Sequence, residues 1–313
     1  MTTRSKAFMI DGGAGRVIAA IPALLKYHKK HPDEDWIVVI GGWDSLLWGM
    51  PEFQSRVFSM DQKGLFDNEI KHRQVISPEP YRVWGYYNQQ LSLAEAFDEI
   101  INETTDHSDL GIPKMVLNKG EEKTAANIIA DCKQQQGNKK ATIIIQPFGR
   151  SARLDRQDVI DDSTRSIEPQ VYLKLGKKLA KDYNMIFFGE RQFHLPKDDF
   201  SFKLEIDLRG WAALIEAADY FVGCDSLGQH MARCFGTPGT VIMGSTYAIN
   251  TTYPDYFQII ENENVNKVYS PIRIGGFDSH LADRLNDRCG DFTDKQIEDM
   301  YNKIVKDIST KVK

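Results

Sequence analysis

The chain reads as an α/β protein made of two successive units, each a parallel sheet flanked by helices. Three observations predict this. Short β-branched or aromatic runs recur at 7–10, 36–40, 57–60, 142–146, 185–188, 220–222 and 240–243. They are continuous rather than alternating, as in strands covered on both faces. A strand–helix–strand pattern begins near residue 7 and again near residue 142, and 313 residues fit two ordinary domains more naturally than one.

The helices carry their own start signals. Ser92 with Glu95 and Thr293 with Gln296 form capping boxes, in which the hydroxyl and the side chain three residues later satisfy orphan amides. Pro169 suits the first turn of a helix running to about Asp182, where its missing N–H costs nothing. The polar stretch 134–140 ends just before a buried run, so the junction is expected there, with units 1–138 and 139–313. Segment 69–90 holds Tyr81, Trp84, Tyr86 and Tyr87 without helical or strand period, and reads equally as a functional or a packed surface loop.

Composition narrows the function classes. Hydrophobic residues make up 42% and charged residues 27%, as expected of a water-facing protein with packed cores. No apolar run is long enough to span a bilayer, and the polar start does not resemble a secretory leader, so a cytoplasmic location is expected. The formal net charge of −5 disfavours a nucleic-acid scaffold. Cys132, Cys224, Cys234 and Cys289 lack metal-ligand or disulfide spacing and read as structural thiols. Asp161-Asp162 lies among arginines and reads as a solvated loop, so no metal and no cofactor is expected. The basic run 26–30 reads as the polar end of a helix. Trp43, Trp48 and Phe53 would either stack on a ligand or pack in the core.

Two segments carry chemistry. In Asp11-Gly-Gly13-Ala-Gly15-Arg16 a strand ends, glycines turn, and an apolar helix begins, which allows close approach of an anion to the backbone. It is neither the dinucleotide fingerprint G-x-G-x-x-G nor a Walker loop, which speaks against a nicotinamide oxidoreductase or epimerase. The second segment runs from Ile206 to Thr246. A short helix leads to a strand ending Gly223-Cys-Asp225-Ser226, then Leu227-Gly228-Gln-His230 opens a helix, and Gly236-Thr-Pro238 precedes the next strand.

This order resembles the heptosyltransferase family of inverting glycosyltransferases, the ADP-heptose:lipopolysaccharide type. Gly15-Arg16 through Pro22 and Leu24, Gln146-Pro-Phe-Gly149-Arg150-Ser151, Phe188-Gly-Glu190 and 289–297 match the same family more modestly, while 65–118 matches nothing in it. The resemblance implies the GT-B fold, two Rossmann-like domains facing a cleft. The N-terminal domain would hold the acceptor, residues 141–285 the nucleotide-diphosphate sugar, and the last helix would cross back to the N-terminal domain. It implies metal-independent, inverting transfer to an acceptor hydroxyl, and the sequence leaves the acceptor open among a glycan, a glycolipid or another hydroxyl compound, with a modified nucleic-acid base less favoured.

The resemblance also supplies site residues. Gly13, Gly15, Gln146, Arg150, Ser151, Arg153, Glu190, Asp225, Ser226, Leu227, Gly228 and His230 would form the nucleotide-sugar site, with the 226–229 turn presenting amides to the diphosphate. Asp225 reads otherwise as a helix cap, and His230 as a satisfied interior histidine. The family places its catalytic aspartate where this chain has Arg16, and a guanidinium cannot act as a base. Asp11 is the carboxylate left on the loop, with Arg16 expected to anchor an anion. The alternative is a binding module that has lost catalysis.

Overall fold

A computed structural model describes residues 5–156, 158–265, 267 and 288–312. The first four residues, on which the reading of the chain's start partly rests, and 268–287 of the expected donor-binding segment lie outside the described residues.

In the first half, β1 (Lys6–Ile10), β2 (Ile37–Ile40), β3 (Val57–Ser59) and β4 (Gln74–Ile76) form a parallel sheet in the order β3-β2-β1-β4. Helices α1 (Ala14–Lys30), α2 (Trp84–Tyr87) and α3 (Leu93–Ile101) accompany it. After α4 (Lys119–Gln136) come β5 (Thr142–Gln146), a hairpin of β6 (Arg153–Asp155) and β7 (Asp158–Ile160), α5 (Pro169–Leu179) and β8 (Asn184–Phe187). Then follow α6 (Leu208–Ala217), β9 (Tyr220–Cys224), α7 (Leu227–Phe235), β10 (Gly239–Ile242), α8 (Ala248–Thr251), β11 (Gln258–Ile260) and α9 (Asp294–Lys311). The second sheet is parallel in the order β11-β10-β9-β5-β8.

Both orders reverse direction once, between β1 and β4 and between β5 and β9. In open α/β sheets a crevice forms beyond the strand C-termini at such a reversal, because the connections leave toward opposite faces. The second sheet is apolar on both faces, as its unbroken runs predict. Ile144, Ile186, Phe221 and Val241 face one core, while Ile143, Ile145, Met185 and Val222 face the other.

Three expectations change. The last helix does not lie on the N-terminal half. Ile297, Met300, Ile304 and Ile308 recur at helical spacing and insert into the core around β5, β9 and α5. Asp307 accepts the Tyr220 hydroxyl, and Lys174 pairs with Asp294, fixing that position. α4, assigned by sequence to the first unit, packs on α6 and β8 of the second, and Gln136 bonds both polar groups of the Met185 backbone. Lys26 is not plain surface. It is buried, with Nζ 2.8 Å from Asp98 and close to Asp109, tying α1 to α3 and the following loop.

The halves also touch directly. Arg209 of α6 donates to the carbonyls of Ser45 (2.8 Å) and Val116 (2.6 Å), and Asn250 donates to those of Tyr86 and Leu91. No helix among the described residues is long and apolar enough to cross a membrane.

Candidate active site

The strand exits of both sheets open onto one cavity of about 1570 Å³. Its lining includes the glycine loop after β1, the Gly149–Ala152 turn after β5, the segment after β8 and the start of α7. Of the residues singled out by sequence, Gly13, Gly15, Arg16, Gln146, Arg150, Ser151, Glu190, Asp225, Ser226, Leu227 and His230 line it. Asp11, Arg153 and Gly228 are not in the lining.

The second-sheet reversal is held by Gln146, the last residue of β5. Its Oε1 accepts the Gly228 amide at 2.8 Å and its Nε2 donates to Ser226 Oγ. Ser226 is the N-cap of α7 but its own side chain makes no cap bond, so Gln146 performs that task from the neighbouring strand. The Gly228 amide expected to face a diphosphate is therefore already used. A Cβ there would stand 2.5 Å from Gln146 Oε1 and 2.6 Å from Phe221, which is why glycine occupies the position.

Asp225 neither caps α7 nor points freely into the cavity. It is buried, with Oδ1 accepting from Gln229 and Oδ2 from Thr246, which ties the β9 exit to the β10 exit. His230 is also buried, with Nδ1 2.9 Å from the Tyr253 hydroxyl. Burial pushes its pKa down to about 4, against the upward pull of Asp225, so the ring is neutral near pH 7. Its Cδ2 lies 2.8 Å from where a Cβ on Gly15 would stand, so Gly15 is small because the two halves meet there.

Cationic groups gather on the second half. Arg150 reaches across the cavity, its Nη1 3.4 Å from the position of a Cβ on Gly13. Arg165 and Arg191 also line the cavity, and Arg165 holds Ser151 Oγ at 2.9 Å. Glu190 accepts from Gln192 at the cavity edge. Arg153 lies instead on the exposed hairpin, paired with Asp162 at 3.1 Å.

Arg16 is 6% exposed, and its Nη2 donates to the Pro78 carbonyl at 2.7 Å. It pairs with Asp11 at 3.2 Å and Glu79 at 3.6 Å, and its guanidinium lies over the rings of Tyr81 and Phe97. Its charge is paired within the protein, while its Nε and Nη1 are buried without a hydrogen-bond partner. Asp11 is 62% exposed on its side chain.

Other lining residues were left open by the sequence or not chosen from it. Trp43 donates its Nε1–H to the Gly12 carbonyl at 2.9 Å, whereas Phe53 is core and Trp48 is exposed. Tyr81 and Tyr86 come from the aromatic stretch between β4 and α3, and Phe188 stacks on Trp211 with centroids 4.4 Å apart. The aromatic density of 69–90 was the one available signal for the tyrosines. Burial alone would raise the Asp161 pKa, but hydrogen bonds from Ser163 and Ser166 hold it below the usual carboxylate range. No group of three or more His, Cys, Asp or Glu is gathered for a metal among the described residues.

No protein-family model matches the chain. No curated protein matches it either. Solved structures do. A glycosyl transferase family 9 protein from Veillonella parvula DSM 2008 aligns with TM-score 0.61 at 13% identity, over 84% of this chain and 88% of that one. The E. coli ADP-heptose LPS heptosyltransferase II aligns with TM-score 0.61 at 14% identity, over 95% and 99%. The dodecameric iron-containing heptosyltransferase TibC, solved in complex with ADP-D-β-D-heptose, aligns with TM-score 0.62 at 12% identity, over 98% and 78%. The reversals, the shared cavity and these alignments together show that the chain has a heptosyltransferase-like fold.

Proposed function

We propose that the chain transfers a glycosyl group from a nucleotide-diphosphate sugar to an acceptor hydroxyl, in a cleft between two Rossmann-like halves of the GT-B arrangement. The boundary between the halves is drawn ahead of α4, within 102–118, because α4 packs with the second sheet. The carrying observation is that both strand-order reversals face one cavity, with cations on one side and a glycine loop on the other.

The chemistry follows from that asymmetry. As the glycosidic bond to the diphosphate breaks, negative charge grows on the leaving oxygen. Arg150, Arg165 and the positive end of the α7 dipole would neutralise it without a metal. Attack from the opposite, glycine-loop side inverts the anomeric centre. His230, neutral and fixed by Tyr253, would offer a hydrogen bond rather than a charge.

Proton removal divides two readings. Transfer through Asp11 requires its exposed carboxylate to turn past Gly12 as the acceptor enters. A protein that binds nucleotide sugar without transferring it is favoured by Arg16 at the family's aspartate position and by Asp11 standing outside the lining.

The test is a thermal-shift screen with ADP, UDP, GDP and their sugars, with and without a chelator. A ligand at about a hundred times its Kd adds about 2.7 kcal/mol. Stabilisation that survives chelation supports the reading, and no stabilisation by any nucleotide refutes it. With an acceptor in hand, Asp11→Asn should slow turnover by roughly 10²–10⁴-fold with donor affinity unchanged. Undiminished turnover places the base elsewhere.

A further inference from the structure

We propose that the acceptor side of the cavity is built for an uncharged saccharide, with Trp43 as the platform on which its ring stacks. The proposal rests on the glycosyl-transfer reading above for the cavity's purpose, but its argument comes from different residues.

The parallel register pairs Ile10 with Ile40, so the exits of β1 and β2 leave side by side. Gly42 follows β2 with φ +84°, a left-handed turn that glycine adopts without strain. Trp43 comes next, and its indole N–H is locked to the Gly12 carbonyl on the neighbouring exit. The ring is half-buried and lines the cavity beside Tyr81 and Leu93. An indole held in place before binding loses little freedom when a ligand arrives, and its apolar face suits the C–H face of a sugar.

Charge decides the class of sugar. Among the described lining residues of the first half, Arg16 is the one charged side chain. Its charge is balanced by the carboxylates of Asp11 and Glu79 and its Nη2 bonds the Pro78 carbonyl, while Nε and Nη1 are buried without a hydrogen-bond partner. A phosphate or carboxylate on the acceptor would give up water there to meet a guanidinium already flanked by two carboxylates. Arg150 reaches Gly13 from the second half, where the donor diphosphate claims it. The same argument disfavours a nucleic-acid acceptor, whose backbone needs several cations.

Ligand-observed NMR tests this on the whole protein, with and without ADP. The probes are neutral di- and trisaccharides, the same sugars carrying phosphate or carboxylate, and short single-stranded DNA. Neutral sugars should bind with little salt dependence, and the charged forms no more tightly. Trp43→Ala should weaken neutral binding roughly tenfold or more, while Trp43→Phe, which keeps an aromatic face, should retain most of it. ADP stabilisation in both variants reports that they are folded. Tighter binding of a charged sugar or of DNA, no binding of any neutral sugar, or unchanged affinity in Trp43→Ala overturns the proposal. If neutral sugars bind through Trp43 while no nucleotide binds, the glycosyl-transfer reading falls and the saccharide site stands. If ADP binds and the neutral sugars do not, the saccharide site falls alone.

Discussion

Replacing Arg16 by alanine tests whether this side chain serves ligand binding or the architecture of the first strand-order reversal. The buried guanidinium bonds the Pro78 carbonyl, approaches Glu79 and packs over two rings. A charged hydrogen bond contributes about 1.5–3 kcal/mol, and each ring contact about 0.5–2 kcal/mol. The Asp11 contact adds little, because that carboxylate is largely solvated. Removing one partner of a buried charged cluster costs about 3–5 kcal/mol, consistent with these parts. Guanidinium unfolding followed by circular dichroism should therefore show a lower midpoint for Arg16→Ala, by an amount equivalent to about 3–5 kcal/mol. Nucleotide affinity of the folded fraction should stay within threefold or so, since a shift of 1.4 kcal/mol would already be tenfold. Arg16→Asp, which writes the family's residue into this position, should be worse, because it places a third carboxylate beside Asp11 and Glu79. A loss below about 1 kcal/mol together with a tenfold weaker nucleotide complex would refute this, and would return Arg16 to the anion-anchoring role that its position in the sequence suggests.

Two further outcomes are expected. Gly228→Ala should destabilise the apo protein by about 1–3 kcal/mol, because its methyl displaces Gln146 from the α7 turn. Unchanged unfolding with lost nucleotide binding would instead make Gly228 a ligand contact. Because the His230 pKa falls from 6.5 unfolded to about 4 folded, the unfolded chain binds more protons in between, and stability should decline by about 3 kcal/mol as pH falls through that window. Urea titrations of wild type and His230→Gln at several pH values should differ in slope there, and equal slopes would refute the assignment.

The parts legible in the sequence are those whose environment is symmetric. β5 and β9 are apolar on both faces, so their runs announce themselves. β4 does not, because it is a three-residue edge strand with Gln74 and Val75 exposed, and its pairing is supplied by β1. The stripe of α9 says that the helix packs but not on which half, since both halves offer apolar faces. Lys26 looked like surface because its partner Asp98 lies 72 residues away. Asp225, Gln146 and His230 were found as a group through motif order. Which of their polar atoms face a ligand was not legible, because a motif does not say whether a polar atom faces the ligand or a neighbouring loop.

That distinction separates the two reversals. At β5/β9, Gln146 and Asp225 spend their hydrogen bonds on fixing the turn, which ties in place the cavity wall beside Arg150 and the start of α7. A donor site needs that preorganisation, because dipoles already aimed at the leaving group need not reorganise during reaction. At β1/β4 the charges instead pair with one another around Arg16, and what faces the cavity beside it is glycine backbone and aromatic surface. On the proposed reading such a surface would select a neutral ring by shape. The proton acceptor would then come from a carboxylate that moves when the ring arrives, or the complex would stop at binding. On the proposed reading, a second half tied in place and a charge-compensated first half would allow donor recognition to persist whether or not transfer follows.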